Sequence, residues 1–440
     1  MNAVSATAPS EARIPSAFVA GVTRVLVRPL QLLVSVPSLL FLAALTAMLF
    51  SHPDVPFHEL NRLTFGLLLL GVVGRAVILR EKAFRLERAS WAMAALTAVV
   101  LLSMIGRPLD RESWSVFAAK YLFPFTLFHL AQTVFADEEE FRKLEVFAAF
   151  VLAYLSFTSI AFLVGARELV FPAFILDPSL GHHADRARGP FLQAVANGVS
   201  LNILGLIAFH GYQRGSLKGA KSLLLLASVP VAILATMTRA VWLSFAGSVL
   251  AVLFLSRNAR LRVAFIAVMV VAVLGFGAVM ATTELGTSLG DRLEESGPVD
   301  YRKAVYAGGW EMFLEHPLTG RGFHQMPADL PKYVTEYKAK VLYPHNTYLE
   351  VLVENGLLGL ALYCWLMWEL WRLGIGVIPE RDENGFLNRE FHAIWPILLA
   401  VYWVNAAVVV MSYHFVNGIL FSLAGMLSAQ QRRAVSESAC

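Results

Sequence analysis

The sequence predicts an all-α polytopic membrane protein of about 12 transmembrane helices, with both termini cytoplasmic and a helical periplasmic loop domain. Three observations carry that reading. Of 440 residues, 57% are hydrophobic and 15% charged, where a soluble domain carries about 25% charged residues. Apolar runs of about 17–25 residues, enough to cross ~30 Å of hydrocarbon as a helix, recur along the whole chain. Lys and Arg concentrate in every second loop. Backbone polar groups in lipid are satisfied only by helices or closed barrels. Barrel strands would alternate in polarity over about 10 residues, whereas these runs are continuously apolar.

The runs fall at 30–50, 63–79, 90–106, 114–135, 144–166, 192–210, 221–237, 240–255, 262–283, 347–371, 391–410 and 413–429. The pair 221–237 and 240–255 also reads as one long helix, but Pro230 and the Thr238–Arg239 break favour two. Residues 1–29 then form a cytoplasmic tail, 30–283 helices one to nine, 284–346 a large periplasmic loop, 347–429 helices ten to twelve and 430–440 a second tail. With the N-terminus inside, the cytoplasmic loops hold twenty Lys and Arg against seven in the short opposite loops. That bias sets orientation. The first apolar run is too long and too late for a cleaved signal peptide.

A net charge of +4 follows from this loop bias and does not call for nucleic acid. The two cysteines, Cys364 in an apolar run and Cys440 at the end, sit at different membrane levels and offer no disulfide framework or metal cluster. His182-His183 is the one metal-like pair, but adjacent side chains diverge and no third ligand is evident, so no metal is expected.

Two external segments break the apolar monotony: 167–191 and 284–346. In the second, Asp300 is placed to N-cap a helix running to about Glu315, where Pro317 stops it. Tyr306, Trp310 and Phe313 have helical spacing on one apolar face, with Arg302 one turn from Tyr306. Pro317-Leu318-Thr319-Gly320-Arg321-Gly322-Phe323 demands a tight turn, and a second helix is expected from Pro327 to Lys340. Thr347 and Glu350 have capping-box spacing ahead of the next apolar run. Pro344 keeps His345 out of helical geometry, at the mouth of that helix.

Arg188, Arg239, Arg302 and His345 thus gather on the external side. Guanidinium forks match phosphate oxygens bidentately, and His is the side chain suited to taking a proton near neutral pH. Competing readings stand beside each: a snorkelling anchor for Arg239, a solvated helix residue for Arg302, a cap or an Asp185 partner for Arg188, a satisfied interfacial histidine for His345. Glu350 and Glu354, four apart on one helix face, are secondary base candidates or helix–helix hydrogen-bond groups.

The segment His345-Asn346-Thr347-Tyr348-Leu349-Glu350-Val351-Leu352-Val353-Glu354-Asn355-Gly356-Leu357-Leu358-Gly359-Leu360 resembles the signature of the O-antigen ligase and Wzy-type polysaccharide polymerase superfamily. Glu315-His316-Pro317-Leu318-Thr319-Gly320-Arg321-Gly322-Phe323 is similar to the turn in that family's large periplasmic loop. Arg188-Gly189-Pro190-Phe191, followed by Asn197, resembles its earlier loop motif. Thr238-Arg239-Ala240 resembles its "SRG"-type turn, with Thr for Ser and Ala for Gly. The resemblance implies a cofactor-free, metal-independent transfer of a preassembled glycan from undecaprenyl diphosphate to an acceptor, at the periplasmic face of the bacterial inner membrane. It maps the catalytic groups onto His345, Arg239 and Arg302, and substrate contacts onto Arg188, Arg321, Asn346 and Tyr348. The acceptor is lipid A-core for a ligase, or another glycan chain for a polymerase of O-antigen or exopolysaccharide repeats.

A secondary transporter shares the twelve-span plan, but its ionisable groups belong near the midplane. Only Arg75, Lys120 and His129 offer themselves there, none of them acidic. A scaffold for polysaccharide export gives no reason for basic groups to gather at one face. The charge bias generates a direct expectation: reporter fusions at about 215 and 385 read cytoplasmic, and one at about 325 reads periplasmic. A cytoplasmic signal at 325 would place the basic cluster in the wrong compartment.

Overall fold

The computed structural model describes residues 31, 33–55, 57–80, 84–105, 110–181, 183–255, 263, 266–267, 270, 274, 277, 297–337, 341–379 and 382–438. Among them every regular element is helical. The helices are α1 Pro37–Leu49, α2 Leu60–Leu79, α3 Arg88–Met104, α4 Arg111–Phe117, α5 Phe123–Val134, α6 Glu138–Leu163, α7 Ala194–Arg214, α8 Gly219–Ala235, α9 Arg239–Leu255, α10 Gly297–Glu315, α11 Met326–Asp329, α12 Thr347–Leu373, α13 Arg389–Ala406 and α14 His414–Ser438. Helix occupies each expected apolar run except 262–283, which, like the 1–29 tail and Cys440, lies almost wholly outside the described residues. The 221–255 stretch is two helices, as Pro230 and Thr238–Arg239 predict. Four helices, α2, α6, α7 and α12, are long and apolar enough to cross a membrane.

Burial is arranged for lipid. Leu63, Leu70, Val77, Phe150 and Phe254 are all more than half exposed on apolar helices, a pattern tolerable only where hydrocarbon replaces water. The interior is built on α7 and α14. Along α7, Gly198 and Gly205 let the helix close on Val241 and Val229, the small-residue contact that dispersion forces reward in a membrane.

Polar contacts sort the connections into two ends. At one end Arg214 pairs with Glu138 and Glu145, Arg432 with Glu87, and Arg433 with Asp382. At the other, Arg111 meets Glu59, the Gly181 N–H meets Asp54, and His324 approaches Glu112. Those are the two loop sets that the charge bias assigns to opposite sides.

The expected 114–135 helix is interrupted. It starts earlier, at Arg111, where the Asp110 carboxylate accepts the Ser113 N–H at 2.6 Å. That bond holds the Asp110 carboxyl below its usual range. Between α4 and α5, Ala118–Leu122 forms a π turn. Pro124 has no N–H to return to residue 120, so the ladder widens there.

The broken helix α12 governs the external loop. Gly356 adopts φ 64° inside it, and the turn predicted at 317–323 inserts into the break. Leu357 N–H donates to the Pro317 carbonyl at 2.8 Å and Leu358 N–H to Leu318 at 3.3 Å. In return Arg321 N–H reaches Val353 at 2.9 Å and Gly322 N–H reaches Glu354 at 2.8 Å. A Cβ on Gly356 would fall within the Leu318 peptide, and one on Gly320 within the Glu354–Asn355 peptide. Both glycines also have positive φ.

Loop details depart from expectation in three places. Helix α10 begins at Gly297, so Asp300 lies in its first turn rather than capping it. Its buried face is Val305, Met312 and Phe313, while Trp310 points outward, 51% exposed. The second loop helix is only α11 followed by a 3₁₀ turn at Leu330–Lys332. Pro331 cannot donate to the Pro327 carbonyl, which takes the Leu342 N–H at 3.0 Å instead.

Gly356→Ala is expected to lose about 1–2 kcal/mol from the left-handed backbone alone, with the overlap against Leu318 added. Thermal unfolding in detergent should show a large drop. Gly247→Ala, with open space around it, should be neutral or mildly stabilising. Equal melting of both variants would mean that the turn does not depend on the break.

Candidate functional site

His345 sits at the entrance to α12 with φ 47°, outside right-handed helical geometry. The cap that follows is not the expected Thr347–Glu350 box. Asn346 caps α12, its side-chain oxygen accepting the N–H groups of Tyr348 at 2.9 Å and Leu349 at 3.1 Å. Thr347, one position inside, ties down the 407–411 segment: its hydroxyl donates to the Val409 carbonyl at 2.9 Å and accepts the Met411 N–H at 3.0 Å. Asn is as good an N-cap as Thr, and Thr347 has a tertiary partner that takes it away.

Loop helix α10 lies over this entrance. The Tyr301 ring meets the His345 imidazole edge-on at 5.8 Å. The Tyr306 hydroxyl reaches the carbonyls of His345 at 3.5 Å and Ala407 at 3.3 Å. Arg302 lies between these two tyrosines in sequence, one turn from Tyr306, and is half-buried. Among the described residues no carboxylate pairs with it. Arg239 opens α9, with its side chain exposed. Five residues on, Ser244 accepts the Asn405 amide at 2.9 Å, which places the start of α9 at the same end of the bundle as the 407–411 segment.

The remaining predicted contacts are engaged elsewhere. Arg188 is 1% exposed. Its guanidinium donates to the Ile175 carbonyl at 2.9 Å and to the carbonyls of Asp177 and Leu180. Burial lowers its pKa, and the Asp177 carboxylate opposes that shift. The Asp185 considered as its partner lies 3.8 Å from Arg186 instead. Arg188 therefore clamps the 175–181 loop. Arg321 is caged by Glu315, Asp329 and the Tyr333 hydroxyl. The Tyr333 hydrogen bond and the Arg321 charge hold the Glu315 carboxyl low. The Tyr348 hydroxyl donates to the Trp403 carbonyl at 3.0 Å.

Deeper in the helix lies a group that sequence reasoning set aside. Lys120, in the π turn, forms an ion pair with Glu350, the two side chains 7% and 4% exposed. Glu354, one turn below, is buried and faces the backbone N–H groups of His324 and Met326. Lys120 was legible as an isolated cation in an apolar run, but nothing in the sequence pairs it with a carboxylate more than two hundred residues away. Tyr301, against the His345 ring, was likewise missed; its position four residues ahead of Val305 on the loop helix was the available signal.

A cleft of about 810 Å³ has Tyr343, two residues before His345 in the chain, in its lining. Its walls come from the 51–62 loop, from Arg111 to Phe123, from Phe191 and Gln193, and from Ser412–His414.

These features define a polytopic helical membrane protein whose 317–322 turn is keyed into a broken helix, with His345 at that helix's mouth. Residues 222–364 match the family model described as O-antigen ligase. That match supports, at the level of the family, an O-antigen ligase/polymerase type of function. The matched stretch contains Arg239, Arg302, Arg321 and His345, whereas Arg188 lies outside it. No curated protein matches the chain.

Lys120→Met or Glu350→Ala should each destabilise the protein by about 3–5 kcal/mol, since each leaves a buried charge without its partner. The double variant should lose much less than the sum. A double-mutant cycle on unfolding in detergent measures that coupling; strict additivity would refute the pair.

Proposed function

We propose that the protein is a metal-independent membrane glycosyltransferase that moves a preassembled glycan from undecaprenyl diphosphate to an acceptor sugar at the periplasmic face of the inner membrane. The observation that carries this reading is the seating of His345 at the mouth of α12, against Tyr301 and Tyr306 of the helix that bears Arg302. In this reading a proton acceptor and a guanidinium with no carboxylate partner among the described residues stand where a lipid-linked diphosphate presents its sugar.

In this scheme Arg239 and Arg302 grip the diphosphate and stabilise the charge that grows on it as the sugar–phosphate bond breaks. The acceptor hydroxyl attacks the anomeric carbon. His345 takes its proton or holds the hydroxyl in line, and undecaprenyl diphosphate leaves with the bonding electrons. Asn346 sets the His345 backbone by capping α12, and the Lys120–Glu350 pair anchors the helix beneath it. Arg188 and Arg321, committed to loop carbonyls and carboxylates, maintain the walls. Transfer to lipid A-core defines a ligase. Transfer to a second lipid-linked chain defines a polymerase, and a reconstituted assay offered both acceptors tells them apart.

His345→Ala should stay folded and membrane-inserted while transfer falls by about 10²–10⁴-fold, the worth of a positioned general base. Recovery in His345→Gln would assign positioning; continued loss would assign proton transfer. Arg239→Lys and Arg302→Lys should each impair turnover, because a point charge replaces a fork. Extensive chelation should leave the wild-type rate unchanged. Wild-type turnover in purified His345→Ala would remove the histidine from the mechanism.

A further inference from the structure

We infer that the cleft lined by Tyr343, Trp114 and Asn61 is a binding site for an uncharged stretch of glycan, separate from the arginines that meet the diphosphate; the inference rests on the glycosyl-transfer reading above. Its volume, about 810 Å³, lies within the roughly 300–1,000 Å³ of small-ligand sites and suits a few sugar rings. The lining has the mixed character that pyranose rings require. Trp114 and Tyr343 are 42% and 43% exposed and offer aromatic faces to the apolar side of a sugar. His58, Asn61, Arg62 and Arg111 offer hydrogen bonds to its hydroxyls.

Two further observations point to a ligand of this kind. Asn61 is 4% exposed, lines the cleft, and its side-chain oxygen has no hydrogen-bond partner among the described residues. A buried amide oxygen in a cleft wall is an acceptor for a donor that the protein does not supply. The cations of the wall, in contrast, are already answered. Arg62 and Arg111 share Glu59, at 2.8 and 2.7 Å, and Arg111 also meets His58 at 2.7 Å. A diphosphate would have to displace Glu59 from both guanidinium groups. A neutral hydroxyl adds to such a cluster without breaking it. Arg302, with no carboxylate partner among the described residues, has the opposite character, so charge separates the two sites.

The cleft wall is also held in place from outside. Asp54 accepts the Gly181 N–H at 3.1 Å, and Arg188 fixes the 175–181 loop behind it. Tyr343, in the lining, stands two residues before His345 in the chain.

The test uses the full-length protein in nanodiscs. Glycan freed by mild acid from the host's own surface polysaccharide is titrated calorimetrically. Wild type and His345→Ala should bind alike. Trp114→Ala and the exposed-side-chain variant Arg111→Gln should bind about tenfold more weakly, or 1.4 kcal/mol. Excess inorganic pyrophosphate should not compete. No binding by wild type, unchanged binding in both variants, or displacement by pyrophosphate would each overturn the inference. In the transfer assay the same variants should raise KM about tenfold with kcat kept. A raised donor KM places the donor glycan in the cleft, and a raised acceptor KM places the acceptor glycan there; neither KM rising overturns the site. Glycan binding by a wild type that transfers nothing would sink the enzymatic reading and leave the cleft standing.

Discussion

A helix broken inside a packed membrane domain leaves peptide N–H and C=O groups without a helical neighbour to satisfy them. At Gly356 the chain meets that cost with its own external loop: the 317–322 turn takes two N–H groups from beyond the break and returns two to the carbonyls before it. Irregular backbone inside such a domain is tolerable where protein covers it. The exchange needs close approach of two main chains, which only glycine at 320 and 356 permits. Everything the loop presents depends on this seam. Helix α10 packs on α12 through Val305, Met312 and Val353, and Phe323 donates its N–H to Ser103 while packing on Phe117 and Tyr121. The loop is therefore part of the membrane domain's packing rather than a cap tethered to it.

That seam also explains how one end of the molecule keeps different kinds of cation apart. Lys120 is neutralised by Glu350 in the protein interior. Arg188 and Arg321 are saturated by carbonyls and carboxylates of the loops they brace. Arg62 and Arg111 share one glutamate at the cleft. Among the described residues Arg302 has no such carboxylate, and Arg239 is exposed at the start of its helix. Neutralised cations cost little to hold near lipid and shape the walls. Arg302, with no carboxylate partner among the described residues, keeps its affinity for an anionic ligand.

The departures from sequence expectation share a cause. Thr347 has capping spacing, yet it is drawn to Val409 and Met411, and Asn346 takes the cap. Glu350, expected to face back to that cap, is drawn to Lys120. Arg188 matches a phosphate-binding arginine in sequence, yet three carbonyls of the 175–181 loop surround it. In each case a residue's local pattern was read correctly, and a partner distant in the chain reassigned it.

The sequence by itself determined the helical membrane class, the helix positions, the two loop ends, the tight turn at 317–323 and the exit of His345 from helical geometry. These rest on local quantities: run length against bilayer thickness, Lys and Arg counts, and the backbone limits of Pro and Gly. Only the tertiary structure decided that the turn fills the break at Gly356, that Lys120 meets Glu350, and that Tyr301 and Tyr306 flank His345. It alone brought residues 51–62, 111–123 and 412–414 into one cleft. These are pairings between segments separated by tens to hundreds of residues, and helix packing selects them by fitting small side chains and satisfying buried polar groups. A one-dimensional pattern of polarity carries no record of which neighbour will supply the other half of a hydrogen bond.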